Sequence, residues 1–129
     1  MLNHIGIYTE SLAATEAFFK TYCGACEAYE QYENTRTHFK SVKLRFDDGT
    51  ILELMNKPGM AAPAAIDATL GLAHISISLP SREAVDEMAQ RLVQGGHRVV
   101  DGPRMTGDGY YELKAFGPSG LVVEFVECR

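Results

Sequence analysis

Two histidines and two glutamates recur at nearly constant spacing along the chain. His74 follows His4 by 70 residues, and Glu124 follows Glu53 by 71, because one turn gains a residue in the second copy. Imidazole nitrogens and carboxylate oxygens are ligands that divalent transition metals accept in proteins. A glutamate between apolar residues of a strand is also costly to bury without a partner. The repeat therefore predicts a metal site.

Alternation along the strands predicts that these four side chains share one face. Successive side chains point to opposite faces of a strand. In the first strand of each copy, isoleucines should pack on a helix, which leaves His4 and His74 on the other face. Apolar neighbours place Glu53 and Glu124 there in the same way. The alternative is that each is an ordinary exposed or locally hydrogen-bonded residue, and it is the repeat that favours metal ligands facing one cavity.

The elements that position these residues have the order β-α-β-β-β in each copy. In the first copy, Ser11 is a predicted N-cap, Gly24 ends the helix, and Asp47-Asp48-Gly49 predicts a hairpin. In the second copy, Ser81 opens an amphipathic helix that Gly95-Gly96 ends. The apolar stripe of that helix is predicted to be Val85, Met88, Ala89, Leu92 and Val93. The predicted strands or extended segments are 2–9, 27–33, 38–46, 50–56, 72–79, 97–101, 110–116 and 121–127.

These elements predict one α+β domain over residues 1–129. Two tandem βαβββ modules, 1–56 and 72–129, should form a curved mixed sheet around a metal-binding cavity. Residues 57–71 are rich in Pro, Gly and Ala and are predicted to be a linker, with room for one helical turn. A β-α-β-β-β half leaves one face of its sheet uncovered, so two halves must pair, within a chain or between chains.

Composition excludes several classes of function. The net charge is −5, and no run of Lys or Arg is present to follow a phosphate backbone or an anionic membrane, so nucleic acid is not an expected partner. No segment has the roughly 18 to 20 apolar residues of a membrane span, and no targeting segment is evident. We expect a cytoplasmic protein. Three cysteines do not form a disulfide framework, and Cys23 and Cys26 are interpreted as free thiols rather than as a redox pair or half a zinc site.

Paired modules of this kind, with a His on the first strand and a Glu on the last strand of each, resemble the vicinal oxygen chelate superfamily. That superfamily includes glyoxalase I, methylmalonyl-CoA epimerase, extradiol dioxygenases and the fosfomycin and bleomycin resistance proteins. The resemblance covers essentially the whole chain. Glyoxalase I carries His or Gln, Glu, His and Glu at these places, which His4, Glu53, His74 and Glu124 match one by one.

The resemblance implies a metal-dependent, lactoylglutathione lyase-like enzyme. It would move a proton between adjacent carbons of a small hydroxycarbonyl compound or thiohemiacetal, through an enediolate that the metal stabilises. By analogy with glyoxalase I, Glu124 or Glu53 would serve as the base, and the sequence does not rank them. The alternatives are an acyl-CoA epimerase of the same superfamily and a non-catalytic small-molecule binding or resistance protein.

The substrate is less well defined than the metal ligands. An Arg that holds glutathione in bacterial glyoxalase I is replaced here by Tyr8 and Thr9, and a Lys or Arg near the second Glu is likewise missing, with Val122 and Val123 in its place. Glutathione is therefore in doubt. Candidate substrate-binding residues are Lys43 and Arg45, which could hold a carboxylate or phosphate, and Tyr110 and Tyr111, of which one should face the pocket.

The cofactor is predicted to be one divalent transition metal per site. His and carboxylate ligands suit Zn, Ni, Co, Mn and Fe alike. The four ligands could come from one chain or from two. Because superfamily members commonly form dimers with shared sites, a homodimer is expected.

Overall fold

The computed structural model describes residues 1–62 and 70–128. Contacts within the chain divide it into two compact units, Met1–Ala62 and Pro63–Arg129, called here the first and the second unit. Each unit carries one helix against one mixed sheet, which confirms the predicted α+β class. The predicted linker, residues 57–71, in which the sequence leaves room for one helical turn, lies partly outside the described residues. No helix in the described part of the chain is both long and apolar enough to cross a membrane.

In the first unit, one helix follows the first strand and packs against the last two strands. The elements are β1 (Ile5–Tyr8), α1 (Leu12–Tyr22), β2 (Glu27–Ala28), β3 (Tyr32–Glu33), β4 (Lys40–Arg45) and β5 (Ile51–Asn56). The sheet has the order β1-β5-β4-β2, with β3 also paired to β4, and β1 runs parallel to β5.

The second unit repeats this plan with one pairing fewer. The elements are β6 (Ile75–Leu79), α2 (Arg82–Gln94), β7 (Val99–Met105), β8 (Tyr111–Phe116), a short 3-10 turn (Pro118–Gly120) and β9 (Val122–Glu127). The sheet has the order β6-β9-β8-β7, and β6 runs parallel to β9.

Both helices begin at the predicted serines. The Ser11 side chain accepts a hydrogen bond from the backbone N–H of Ala14, and Ser81 accepts one from Ala84, so each cap satisfies a donor that the first helical turn leaves free. The second helix ends as predicted, with Gly96 at φ 82°, a left-handed conformation that glycine adopts without strain.

Each helix buries an apolar face on its own sheet. Phe18 and Phe19 anchor α1, while Val85, Met88 and Leu92 anchor α2. The predicted stripe on α2 is wider than its buried face, because Val93 is 63% exposed. The inward residues of the strands complete the two cores: Ile7, Val42, Leu44, Leu52 and Leu54 in the first unit, and Leu113, Ala115, Val123 and Phe125 in the second.

Two predicted strands differ from the structure in their extent and pairing. The segment 27–33 divides into β2 and β3, which pair with different parts of β4. Strand β7 continues to Met105 instead of stopping at 101, and its register with β8 shifts on either side of Asp101, the second shift spanning Gly102-Pro103. Gly102 has a φ of 77°, and a Cβ there would collide with the carbonyl oxygen of Glu112. A glycine and an irregular register let the strand pass the proline, which lacks the N–H that regular pairing needs.

Candidate functional site

The predicted His and Glu meet within each unit because the first strand pairs with the last. In the first unit Gly6 pairs with Glu53, and in the second Ser76 pairs with Glu124. Each histidine lies one residue before its strand and not on it, since parallel pairing begins at Ile5 and at Ile75. The alternation is as predicted, because the leucines beside Glu53 are buried while its carboxylate faces away from the helix.

In the first unit, His4 Nε2 lies 3.2 Å from Glu53 Oε2. The opposite ring nitrogen, Nδ1, lies 2.8 Å from Asn3 Oδ1. An amide oxygen only accepts hydrogen bonds, so Nδ1 is the donor and Nε2 is the nitrogen presented to Glu53. This arrangement resembles that of metal-binding histidines, whose second nitrogen is held by a hydrogen bond to an acceptor.

In the second unit, His74 Nε2 lies 3.6 Å from Glu124 Oε2. Here the carboxylate is the restrained partner. Ser76 Oγ donates a hydrogen bond of 2.8 Å to Glu124 Oε1, and Lys114 Nζ lies 3.5 Å from Glu124 Oε2. Only 11% of the Glu124 side chain is exposed, and these contacts compensate the loss of hydration.

Glu112 extends this network along β8. Its carboxylate lies 3.9 Å from Lys114 Nζ, so one ammonium group lies near two buried carboxylates. Burial raises the pKa of the Glu112 carboxyl above its ordinary value, and the negative charge of Glu124 adds to that rise, against the opposing charges of Lys114 and Arg104. The second unit therefore concentrates charge around its predicted metal ligand.

An open cleft adjoins each pair. The first cleft, of about 370 Å³, is lined by Tyr29, Glu30, Tyr32, Phe39, Ser41, Lys43 and Glu53. The second cleft, of about 450 Å³, is lined by His74, Ser76, Thr106, Asp108, Tyr110, Glu112, Lys114, Glu124 and Val126. Three of the seven side chains in the first cleft are aromatic, whereas the second has mainly charged and hydroxyl groups.

The four predicted substrate-binding residues have different surroundings. Lys43 lines the first cleft and Tyr110 lines the second. The Arg45 guanidinium is paired with Glu27, with Nε 2.8 Å from Oε2. Tyr111 faces α2, where its hydroxyl donates to Asp86 at 2.7 Å and Arg82 lies over its ring. Of the two adjacent tyrosines, Tyr110 is therefore the one that lines the cleft and stays a candidate for substrate binding.

Sequence reasoning missed Ser76, Glu112 and Lys114. The repeat contained the signal for two of them, because Lys114 follows Lys43 by 71 residues and Glu112 follows Ser41 by the same interval. The predicted lack of a Lys or Arg near Glu124 is also refined. Val122 and Val123 stand directly before Glu124 in sequence, but Lys114 reaches its carboxylate from the neighbouring strand.

The residues fit a divalent metal only in part. Two ligand atoms at about 2.1 Å from a tetrahedral ion lie roughly 3.4 Å apart, and the nitrogen-to-oxygen separations of 3.2 and 3.6 Å bracket that value. Within residues 1–62 and 70–128, however, no group of three or more His, Cys, Asp or Glu side chains is arranged to hold an ion. Each unit by itself presents a pair of donor atoms at a suitable separation.

The cysteines are separate from these clefts. Cys23 is buried, which raises the pKa of its thiol, and the exposed Cys26 donates to the carbonyl of Arg45 at 3.2 Å. Cys128 is exposed, and none of the three cysteines is in a disulfide.

Comparisons with known proteins agree on the family. Residues 1–125 match the sequence model of the Glyoxalase/Bleomycin resistance protein/Dioxygenase superfamily. An uncharacterized protein, YqjT, from Bacillus subtilis (strain 168) is 26% identical over 128 residues, which are 97% of this chain and 97% of that protein.

Two solved structures share the fold. The glyoxalase family protein from Enterococcus faecalis has a TM-score of 0.80 and 20% identity, covering 98% of this chain and 97% of that one. The fosfomycin resistance protein FosX from Listeria monocytogenes, crystallised with Mn(II) and sulfate, has a TM-score of 0.74 and 18% identity, covering 100% and 93%. With the family match over nearly its full length, the chain belongs to the Glyoxalase/Bleomycin resistance protein/Dioxygenase superfamily.

Proposed function

We propose that this protein is a metal-dependent, glyoxalase-like lyase or isomerase. It would move a proton between adjacent carbons of a small hydroxycarbonyl compound or thiohemiacetal. The observation that carries the proposal is the recurrence of one His–Glu pair at equivalent positions of both units, with nitrogen-to-oxygen separations of 3.2 and 3.6 Å. The same strand pairing around both pairs supports metal ligands over unrelated residues.

His4, Glu53, His74 and Glu124 are the proposed ligands. Their donor atoms suit Zn, Ni, Co, Mn or Fe, and the Mn(II) bound to FosX supports a divalent ion in this superfamily. A bound cation would supply the positive charge that stabilises an enediolate when a carbon-bound proton leaves. We further propose that the active form is a homodimer that acts on a small molecule, while a cytoplasmic location stays a prediction from sequence.

The protein's own groups would hold and move the proton. A carboxylate oxygen of Glu124 or Glu53 is the candidate acceptor, because each can take a proton from carbon and return it to the adjacent carbon. Ser76 and Lys114 hold the Glu124 carboxylate in place, whereas the Glu53 carboxylate contacts the His4 imidazole. Lys43 and Tyr110, at the walls of the clefts, are the proposed substrate-binding residues.

Metal analysis tests this proposal directly. Untagged protein, purified without chelator, is expected to contain about one transition-metal ion per site by mass spectrometry, and Glu53→Ala should lose most of it. Glu33→Ala is the matched control, since Glu33 lies in the same sheet but pairs with Lys40. Absence of metal after addition of nickel, cobalt or zinc would contradict the proposal and favour a non-catalytic binding protein.

Turnover separates the remaining alternatives. The metal-loaded protein is assayed for proton transfer with hemithioacetals and with 2-substituted acyl-CoA esters. Turnover of hemithioacetals alone supports the lyase. Activity confined to the acyl-CoA esters would replace it with the epimerase.

A further inference from the structure

Three aromatic side chains form one wall of the first cleft. The rings of Tyr32 and Phe39 lie 6.4 Å apart between centroids at an angle of 52°, and Tyr29 lines the same cleft. The two tyrosines are 44% and 55% exposed. Large exposed rings gathered beside functional groups are typical of a ligand site, because a ligand ring can bury them at little cost in conformational entropy.

A tight turn supports this wall. Asn34 N–H donates to the carbonyl of Phe39, and its side-chain oxygen accepts from the N–H groups of Arg36 and Thr37. His38 adopts a φ of 57°, in the left-handed region that residues other than glycine seldom adopt, and its N–H donates to the carbonyl of Asn34. The ring of Phe39 is thus presented by a hydrogen-bonded turn that precedes β4.

The same cleft contains the ammonium group of Lys43. Among the described residues, no carboxylate lies within 4.0 Å of Lys43 Nζ, although Lys43 pairs with Glu53 across the sheet. Its counterpart Lys114 lies within that distance of two carboxylates. Glu30 and Glu53 also line the first cleft, so the cleft does not attract anions in general. An anionic group would be stabilised only where it reaches Lys43.

We propose that the first cleft binds an aromatic hydroxy acid, with its carboxylate on Lys43 and its ring against Tyr32 and Phe39. Tyr32 pairs with Ser41, which lies two residues from Lys43 on β4, and two residues of strand span about 6.8 Å. A short carbon chain between ring and carboxylate covers that separation. The assignment rests on the proposed function, since the hydroxyl-bearing carbon would then lie beside Glu53, the predicted ligand.

Calorimetric titration with three matched compounds tests the assignment. The probes are 3-phenyllactate, lactate, which lacks the ring, and 3-phenylpropane-1,2-diol, which lacks the carboxylate. Phenyllactate is expected to bind at least about tenfold more tightly than either control. Titrations are made with the protein as purified and after chelator treatment, so that chelation of a metal by the hydroxy acid is separated from contacts with the cleft.

Three variants locate the binding groups. Lys43→Met should weaken phenyllactate about tenfold and leave the diol unchanged, whereas Phe39→Leu should weaken both ring compounds and leave lactate unchanged. Lys40→Met is the matched control, because Lys40 lies on the same strand but pairs with Glu33. Circular dichroism confirms that each variant is folded, and Tyr32→Leu replaces Phe39→Leu if the latter is not.

The outcomes separate this assignment from the proposed function. Equal binding of lactate and phenyllactate, no binding of phenyllactate at millimolar concentration, or an equal loss in Lys40→Met would overturn the assignment, whatever the metal content. A protein that lacks metal yet keeps the preference for phenyllactate and its dependence on Lys43 would support the assignment and contradict the proposed metalloenzyme.

Discussion

The two units hold their His–Glu pairs by different means. In the first unit the hydrogen bond that His4 Nδ1 donates to Asn3 holds the imidazole, while in the second unit Ser76 and Lys114 hold the carboxylate of Glu124. The strand pairing around the two pairs is nevertheless the same. The same strand pairing therefore allows either the imidazole or the carboxylate to be held in place. The neighbouring side chains decide which of the two is held.

The two clefts also differ in the side chains that line them. The first has aromatic rings and a lysine with no carboxylate within 4.0 Å among the described residues, whereas in the second the lysine lies near Glu112 and Glu124. Charges that neutralise each other hold a carboxylate in place but offer little to a ligand. The difference therefore favours the ligand binding proposed for the first cleft, while the carboxylate of the second unit is held in place by its neighbours.

The largest expected effect is on turnover. Glu124→Gln should reduce kcat roughly 10²- to 10⁴-fold but retain some metal, because the amide oxygen can still accept the hydrogen bond from Ser76, whereas an amide cannot take a proton. Glu53→Gln should lose both metal and turnover, since Gly6 stands beside Glu53 in the place of Ser76 and has no hydroxyl group to hold that side chain. Steady-state kinetics and metal analysis of both variants check this. If Glu53→Gln keeps its metal and loses more turnover than Glu124→Gln, then Glu53 is the base.

The next effect concerns the residue beside each glutamate. Gly6 occupies the place of Ser76, and a Cβ at Gly6 would lie 2.7 Å from the terminal methyl group of Met55. Met55 in turn occupies the place of Val126, a shorter side chain. Gly6→Ser should therefore lower the free energy of unfolding by about 1 kcal/mol, at the low end of the cost of overpacking, because that methyl group ends a flexible side chain that can move; urea denaturation measures the change.

A double variant shows whether Met55 is the cause. Gly6→Ser combined with Met55→Val reproduces the pair found in the second unit and should recover most of the lost stability. If the double variant is as unstable as the sum of the two single variants, the crowding has another source.

An effect of similar size distinguishes the two lysines. Lys114→Met should lower the free energy of unfolding by about 1 kcal/mol, because it leaves two buried carboxylates without their shared cation while partial exposure limits the loss. Lys43→Met should change it by less than about 0.5 kcal/mol. Denaturation midpoints of both variants check the contrast, and equal losses would show that Lys43 also has a structural role.

The smallest difference between the units should be found at the helix starts. Ser11→Ala and Ser81→Ala should each cost about 1 kcal/mol, because each removes the acceptor for one N–H of the first turn. Ser78→Ala, at an exposed strand position, is the control and should be nearly neutral. Unequal costs at the two caps would show that the tertiary contacts of one helix outweigh its cap.

Local patterns predicted the elements that have local causes. Serine caps, the Gly-Gly end of α2 and the Asp-Gly hairpin are set by residues a few positions apart, and alternation gave the correct face for both glutamates. The split of 27–33 and the continuation of β7 past Pro103 depend on which part of a neighbouring strand is available for pairing. That information is not contained in the segment itself.

The candidate site shows the same limit. The repeat identified the His–Glu pairs, but the choice between Tyr110 and Tyr111 required the position of α2, where Asp86 accepts from Tyr111. The partner of Arg45 likewise came from β2, a strand of two residues that the sequence indicates only weakly. Residues that share a face through distant strands, such as Ser76 and Lys114, have no signature in a single segment.

The parallel pairing of the first and last strands also affects the order of events during folding. His4 and Glu53 are 49 residues apart in the chain, and His74 and Glu124 are 50 apart. Closing such long loops costs entropy before the contacts can repay it. Neither pair can form on a partly synthesised unit, because its last strand has yet to join the sheet. Uptake of an ion by both ligands of a pair would therefore have to wait until that unit has folded.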